Sequence, residues 1–303
     1  MSPRPELLAL GECMVELCGE TALGAQGSPL RLGYGGDVLN ALVSAARLGT
    51  RTGFITRVGA DPFAPGLLQA WRQEGVDLRH AQLLPGVNGV YFISQLPGGE
   101  RDFSYRRQGS AAAGLQPDDV PDEALAGARA LLLSGITQAL SASARAATLK
   151  AAQRARALGL WVAYDPNYRP ALWAGQGGEA AAREALHEVL PHVNWLLPSA
   201  PADLPLLQGL SLPGPALALK CGAEGVRLQL PGGGMQVLPA VPVTHIVDST
   251  GAGDAWNGAF LHGLLRQAGP EEAALLANQV AARSLGFRGA IPGPAPHPSL
   301  TSH

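Results

Sequence analysis

Short apolar runs alternate along the chain with longer segments whose apolar residues recur at helical spacing. The pattern predicts buried strands at 7–10, 52–58, 131–134, 160–164, 195–197 and 217–219. It predicts helices at 39–48, which Gly49 would stop, and at 66–74, 142–158, 179–190, 255–268 and 271–285. Strand followed by helix, repeated in this way, is the signature of parallel βαβ units with helices on both faces of a sheet. Two stretches break the rhythm. Within 13–32 and 89–106, turn-bounded alternating strands follow one another without helices, which predicts a small accessory sheet beside the main one. The expectation is therefore an α/β fold in a single domain spanning 1–303, with a strand-built lid. The segments 213–216 and 232–234 read as local turns, and 292–303 as an unpatterned tail.

Composition narrows the classes of function. The 303 residues carry a net charge of -2, so nothing suggests an electrostatic grip on nucleic acid or on anionic lipid. No apolar run reaches the ~18 residues of a membrane span, and the N-terminus lacks the apolar core of a signal peptide. Cys13, Cys18 and Cys221 have no metal-type spacing and read as reduced thiols of a cytoplasmic protein. The seven histidines are scattered, so no residue is assigned to a metal. Lys150 and Lys220 are the only lysines, and every other basic side chain is arginine. A single arginine is thus a default surface cation unless its context argues otherwise.

The strongest local signal is Val247-Asp248-Ser249-Thr250-Gly251-Ala252-Gly253-Asp254, running straight into a helix. Gly251, Ala252 and Gly253 let backbone N–H groups approach a ligand, and a helix N-terminus favours an anion there. Asp254 cannot itself ligate that anion. A carboxylate beside it suits a proton acceptor for an attacking hydroxyl, although an Asp cap after a glycine loop would look the same. The stretch is neither a Walker P-loop nor a dinucleotide fingerprint. A second, weaker signal is Gly33-Tyr34-Gly35-Gly36-Asp37-Val38-Leu39-Asn40. Its glycines permit close approach, and Asp37 and Asn40 offer hydrogen bonds to a polyol.

Together, in this order and spacing, the two motifs resemble the C-terminal and N-terminal signatures of the ribokinase-like (PfkB) carbohydrate kinases. The resemblance covers nearly the whole chain. Within that family, Gly11-Glu12-Cys13-Met14-Val15-Glu16-Leu17, Phe103-Ser104-Tyr105-Arg106-Arg107, Ser134-Gly135-Ile136 and Asp165-Pro166-Asn167-Tyr168-Arg169-Pro170 are similar to the 2-keto-3-deoxygluconate kinases.

The resemblance implies a three-layer α/β/α sandwich with a central, mostly parallel sheet and a small β-strand lid. It implies ATP and Mg2+ as cofactors. A lid of exposed strands invites pairing with another subunit, so a homo-oligomer, dimer or higher, is expected. Asp254 matches the catalytic base, and Gly251, Ala252 and Gly253 match the anion hole. Gly35, Gly36, Asp37 and Asn40 match the sugar-contacting segment, and Tyr91, Tyr105, Arg107 and Arg169 match the substrate contacts of the keto-acid kinases. Asn167, Ser199, Lys220, Gly222, Gly225, Asp248, Gly251, Gly253 and Asn278 are carried over to the ATP site, with Asn278 lining the adenine pocket.

The choice of sugar has a physical argument. A keto or aldonic acid carries a carboxylate, which arginine binds with paired, charge-assisted hydrogen bonds. Arg107 on the lid and Arg169 after a main-sheet strand would clamp it from two sides. The expected reaction is ATP-dependent phosphorylation of 2-keto-3-deoxy-D-gluconate at its 6-hydroxyl. A neutral-sugar kinase of the same fold (fructokinase or ribokinase) and a non-catalytic sugar or nucleotide sensor remain as alternatives. Two departures stand out. The Asn-x-x-Glu element is degenerate in Pro198-Ser199-Ala200-Pro201-Ala202-Asp203, which offers Ser199 and, one position late, Asp203, and Arg106 stands where an aromatic is common.

Overall fold

The alternation within β1 (Leu7–Leu10) already sets the layers. Leu7 and Ala9 pack into one buried cluster, Leu8 and Leu10 into another on the opposite face. The computed structural model describes residues 4–19, 23, 26–95, 101–210 and 214–291. The expected tail at 292–303 and part of the 213–216 turn lie outside them.

The remaining strands of the main sheet are β4 (Thr52–Gly59), β5 (Val76–Asp77), β6 (Ala81–Leu84), β9 (Ala130–Ser134), β10 (Trp161–Asp165), β11 (Trp195–Leu196), β12 (Ala216–Lys220), β13 (Val226–Gln229) and β14 (Met235–Leu238). Their order is β14-β13-β12-β11-β10-β9-β1-β4-β5, with β6 also pairing to β4. Pairing is parallel from β5 to β12, whereas β12-β13-β14 is an antiparallel meander at the edge. Six main helices flank this sheet: α1 (Asp37–Arg47), α2 (Ala64–Gln73), α3 (Ala142–Ala157), α4 (Gly178–Val189), α5 (Ala252–Leu265) and α6 (Pro270–Ser284). α1, α2, α5 and α6 share the cluster of Leu7 and Ala9, while α3 and α4 share that of Leu8 and Leu10. The result is the expected helix–sheet–helix sandwich.

The second sheet is the expected lid. It has four strands in the order β3 (Leu30–Gly35), β2 (Met14–Gly19), β7 (Gly89–Gln95) and β8 (Arg101–Arg106). The antiparallel hairpin β13–β14 was not read from the pattern, nor were β5 and β6.

Close packing of α1 on α5 depends on one residue. A side chain at Gly258 would overlap the carbonyl oxygen of Ala41, backbone that cannot step aside. Gly258→Ala is expected to destabilise the fold by about 3 kcal/mol, the upper range for forced overpacking. Urea unfolding of the variant beside the wild type checks it; an unchanged midpoint removes Gly258 from this role.

Candidate active site

Parallel strands all end at the same edge of the sheet, so their following residues gather there. β1 leads to Glu12, β9 ends on Ser134, β10 ends on Asp165 and leads to Asn167, and β12 ends on Lys220. The chain runs outward from β1 in both directions, first through β4 and β5 and later through β9 to β12. Ligands of open α/β sheets bind at such a switch point, outside the carboxyl ends of the strands.

A cavity of about 340 Å3 opens there, roofed by the lid. Gly35, Gly36, Asp37, Asn40, Tyr91, Tyr105, Arg107, Arg169 and Asp254 all line it, with Gly251 beside them. Segments far apart in sequence therefore share one wall, and the two arginines face the same space as Asp254.

Asp254 sits in the first turn of α5, whose N-cap is Gly251 in a left-handed conformation (φ 76°). A side chain on Gly251 would also press on the backbone of Ala290. Asn40 Nδ2 donates to Asp254 Oδ2 at 2.8 Å, tying α1 to α5 across the cavity floor. Burial pushes the Asp254 carboxyl up to about 7, and the nearby Asp37 carboxylate adds to the rise, against the Asn40 bond and Lys220. This is the range suited to a proton acceptor near neutrality.

Asp37 accepts from Ser134 Oγ and, at 3.1 Å, from Asn167 Nδ2. Its Oδ1 is buried with no partner among the described residues, and burial raises its own carboxyl first. Lys220 Nζ reaches Asp165 Oδ2 and Asn257 Oδ1, each at 2.8 Å. These bonds use two of the ammonium's three donors. A Cβ built on Gly253 would lie 3.9 Å from both Lys220 Nζ and Ser199 Oγ, so both groups come close to the α5 N-terminus. An ammonium, a hydroxyl and first-turn N–H groups gathered in this way have the chemistry of a phosphate cradle.

The residues expected at the nucleotide also make hydrogen bonds within the chain. Asn167 lines the same cavity as the substrate set and donates to Asp37. The Asp248 carboxylate turns inward, accepting from Thr250 N at 3.0 Å, Thr250 Oγ1 at 2.8 Å and Gly289 N at 2.7 Å, so it shapes the loop before Gly251. Asn278 accepts from Trp256 Nε1 and donates to the carbonyl of Pro239, both at 2.8 Å, and so braces α6. Gly225 (φ 91°) is held by close approach to the backbone at Leu238, while Gly222 (φ 56°) faces open space. Asp203 accepts from the N–H groups of Tyr168 at 2.6 Å and Ser199 at 2.7 Å. Arg106 bonds to Ser104 Oγ and the Tyr105 carbonyl on the lid surface, so it adds no charge to the cavity.

The sequence reading assigned no role to Glu12, Asp165 or Asn257. Glu12 is 1% exposed and accepts from Arg107 Nη1 at 2.5 Å. Asn257 follows Asp254 by three residues, one helical turn, which was the available signal for it. In the lid, Tyr91 donates to Glu16 Oε2 at 2.5 Å and stacks on Tyr105 at 5.8 Å between centroids.

The pfkB family carbohydrate kinase model matches residues 4–202 and 206–298. The chain belongs to that family and is a carbohydrate kinase. It is 35% identical to a 2-dehydro-3-deoxygluconokinase of Thermoproteus tenax, over 95% of this chain and 91% of that protein, one of several relatives so named. A fructokinase of Klebsiella pneumoniae is 32% identical, over 91% and 90%. A solved Escherichia coli structure in complex with ATP and Mg2+ superposes with a TM-score of 0.83, at 25% identity over 95% and 94% of the two chains. Among the described residues, no helix is long and apolar enough to cross a membrane.

Proposed function

We propose that the protein phosphorylates a sugar acid, 2-keto-3-deoxy-D-gluconate, at its 6-hydroxyl, with MgATP as donor. The observation that carries this reading is that Arg107 and Arg169 line one cavity with Asp254. A ligand spanning them would have an anionic end at the guanidinium groups and a hydroxyl end at the carboxylate. Relatives named 2-dehydro-3-deoxygluconokinase support the same choice.

In this mechanism Asn40 orients Asp254, which takes the proton of the attacking hydroxyl. The N–H groups at Gly251, Ala252 and Gly253, with Lys220, neutralise charge on the transferred phosphoryl group. Asp165 and Asn257 hold Lys220 at that position. Among the described residues no three acidic, histidine or cysteine side chains cluster as a metal cage. That donor set suits magnesium arriving with the nucleotide, held largely by phosphate oxygens and water.

The fructokinase relative favours a second reading, a neutral-sugar kinase. A coupled ADP-release assay with 2-keto-3-deoxygluconate, its galactonate epimer, gluconate, fructose and ribose separates the two. Turnover is expected with a keto acid and at most weakly with fructose. Efficient turnover of fructose or ribose alone overturns the sugar-acid reading.

A further inference from the structure

The buried pair beneath the lid is built incompletely. Arg107 Nη1 bonds to Glu12 Oε1, yet Glu12 Oε2 and Arg107 Nε are both buried without a partner among the described residues. Each residue is at most 14% exposed, and both line the cavity that holds Asp254. The guanidinium is held from a second side, 4.6 Å from the centroid of the Tyr105 ring. A pair meant only to brace the lid would be expected to close as a two-bond fork. Here each partner keeps an unused polar atom inside the cavity wall, closed off as long as the pair stays as it is.

Resting on the sugar-acid reading, we propose that Glu12 is a positioning residue that couples substrate binding to proton uptake. In the empty cavity it holds Arg107 as a neutral pair; when the substrate carboxylate occupies the guanidinium, Glu12 is in its protonated form.

The charges around Arg107 favour this. Arg169 is exposed and screened by water, so Glu12 and the substrate carboxylate compete for the one buried guanidinium of the cavity, and protonation of the more buried carboxyl relieves their repulsion. The proton comes from solvent, and Glu12–OH then becomes a donor that can serve the incoming carboxylate. The surroundings of Glu12 favour the change. Burial pushes its carboxyl up to about 7, with Arg107 opposing and Asp37, from the first turn of α1, adding to the rise. The adjoining Cys13 thiol is pushed up by burial and stays neutral. The remaining titratable or charged groups on the cavity are Arg169, Tyr91, Tyr105 and Asp254. Burial raises the Tyr91 phenol further, so it carries no charge near neutrality. Asp254 titrates in the same range as Glu12, so its contribution has to be separated in the test.

The sign follows. The acid binds the Glu12-protonated form, so its affinity is flat below pH ~7 and weakens about tenfold per pH unit above it. A neutral sugar does not displace the pair and shows no such loss.

The test uses the intact enzyme with 2-keto-3-deoxygluconate at pH 6 and pH 8. The ratio of wild-type KM to Glu12→Gln KM is expected to rise about tenfold between the two, because the amide cannot ionise while Asp254 is common to both. Titration calorimetry at pH 7.5 in two buffers of different ionisation enthalpy should show uptake of most of one proton per acid bound. In Asp254→Asn, where the other cavity carboxyl is gone, the uptake should persist; this arm holds even if Glu12→Gln fails to fold. A constant KM ratio, or proton uptake that vanishes in Asp254→Asn, overturns the inference while leaving a sugar-acid kinase in place. Absence of any turnover of the keto acid overturns the parent reading and the coupling with it.

Discussion

Asp254→Asn is expected to lower turnover by ~10²–10⁴ while both substrates still bind, the scale of a lost general base. The substitution is nearly isosteric, and an amide turned with its oxygen toward Asn40 keeps the 2.8 Å bond that ties α1 to α5. Lost activity should therefore not come from lost structure, and stability reports this independently. The wild-type carboxyl is raised to about 7 by burial and by Asp37. A raised group contributes stability below its unfolded value near 4 and loses that contribution as pH climbs through its folded value. The asparagine is free of that loss, so the variant should melt no lower than wild type at pH 8, and any advantage should shrink toward pH 4. The same shift predicts that wild-type kcat/KM falls about tenfold per unit as pH drops below ~7, where the base is protonated. Kinetics and thermal melts of both proteins at pH 6, 7 and 8 check all three outcomes. Turnover within a few-fold of wild type removes Asp254 from its role.

What could be read from the sequence was what is local. The run from Asp248 to Asp254 folds into one loop and one helix start, so its glycines and its carboxylate stay neighbours whatever the rest of the chain does. The strands β1, β4, β9, β10 and β12 announced themselves because a buried parallel strand is apolar on both faces. The hairpin β13–β14 did not, because β14 lies at the sheet edge with its residues largely exposed and no continuous apolar run marks it.

The pairings that decide the site were out of reach for a different reason. Glu12 and Arg107 lie 95 positions apart, and Asp165 meets Lys220 across 55. Such contacts depend on which strand ends converge, a property of topology rather than of spacing. Asn278 and Asp248 show the converse. Family likeness gives them nucleotide roles, but not the bonds their side chains make to Trp256, Pro239, Thr250 and Gly289. A motif fixes which residue stands at a position, and the packing around it decides where its polar atoms point.

Removing the two cavity arginines should discriminate between acids and neutral sugars, and unequally. Arg107 is 14% exposed, so its charge acts on a ligand with little screening by water. Loss of one such charge-assisted bond costs about 1.5–3 kcal/mol, which places the rise in KM of Arg107→Ala for a keto acid at ~10–10²-fold. Arg169 is exposed at the cavity mouth and, among the described residues, donates only to the Tyr168 carbonyl, at 3.1 Å. Water competes for it more effectively, so Arg169→Ala should cost less, nearer tenfold. The two changes differ in a second way. Arg107→Ala strips Glu12 of its partner, and a buried, already raised carboxyl then stays protonated at neutral pH. In that variant the pH dependence of keto-acid KM that Glu12 creates should disappear, whereas in Arg169→Ala it should persist. For fructose, which offers no anion, both variants should leave KM within about threefold of wild type. Steady-state kinetics with keto acid and fructose at pH 6 and 8 measure the whole set. Equal losses on both sugars would mean that the arginines shape the lid rather than hold a carboxylate, and the cavity would then have no basis for preferring acids.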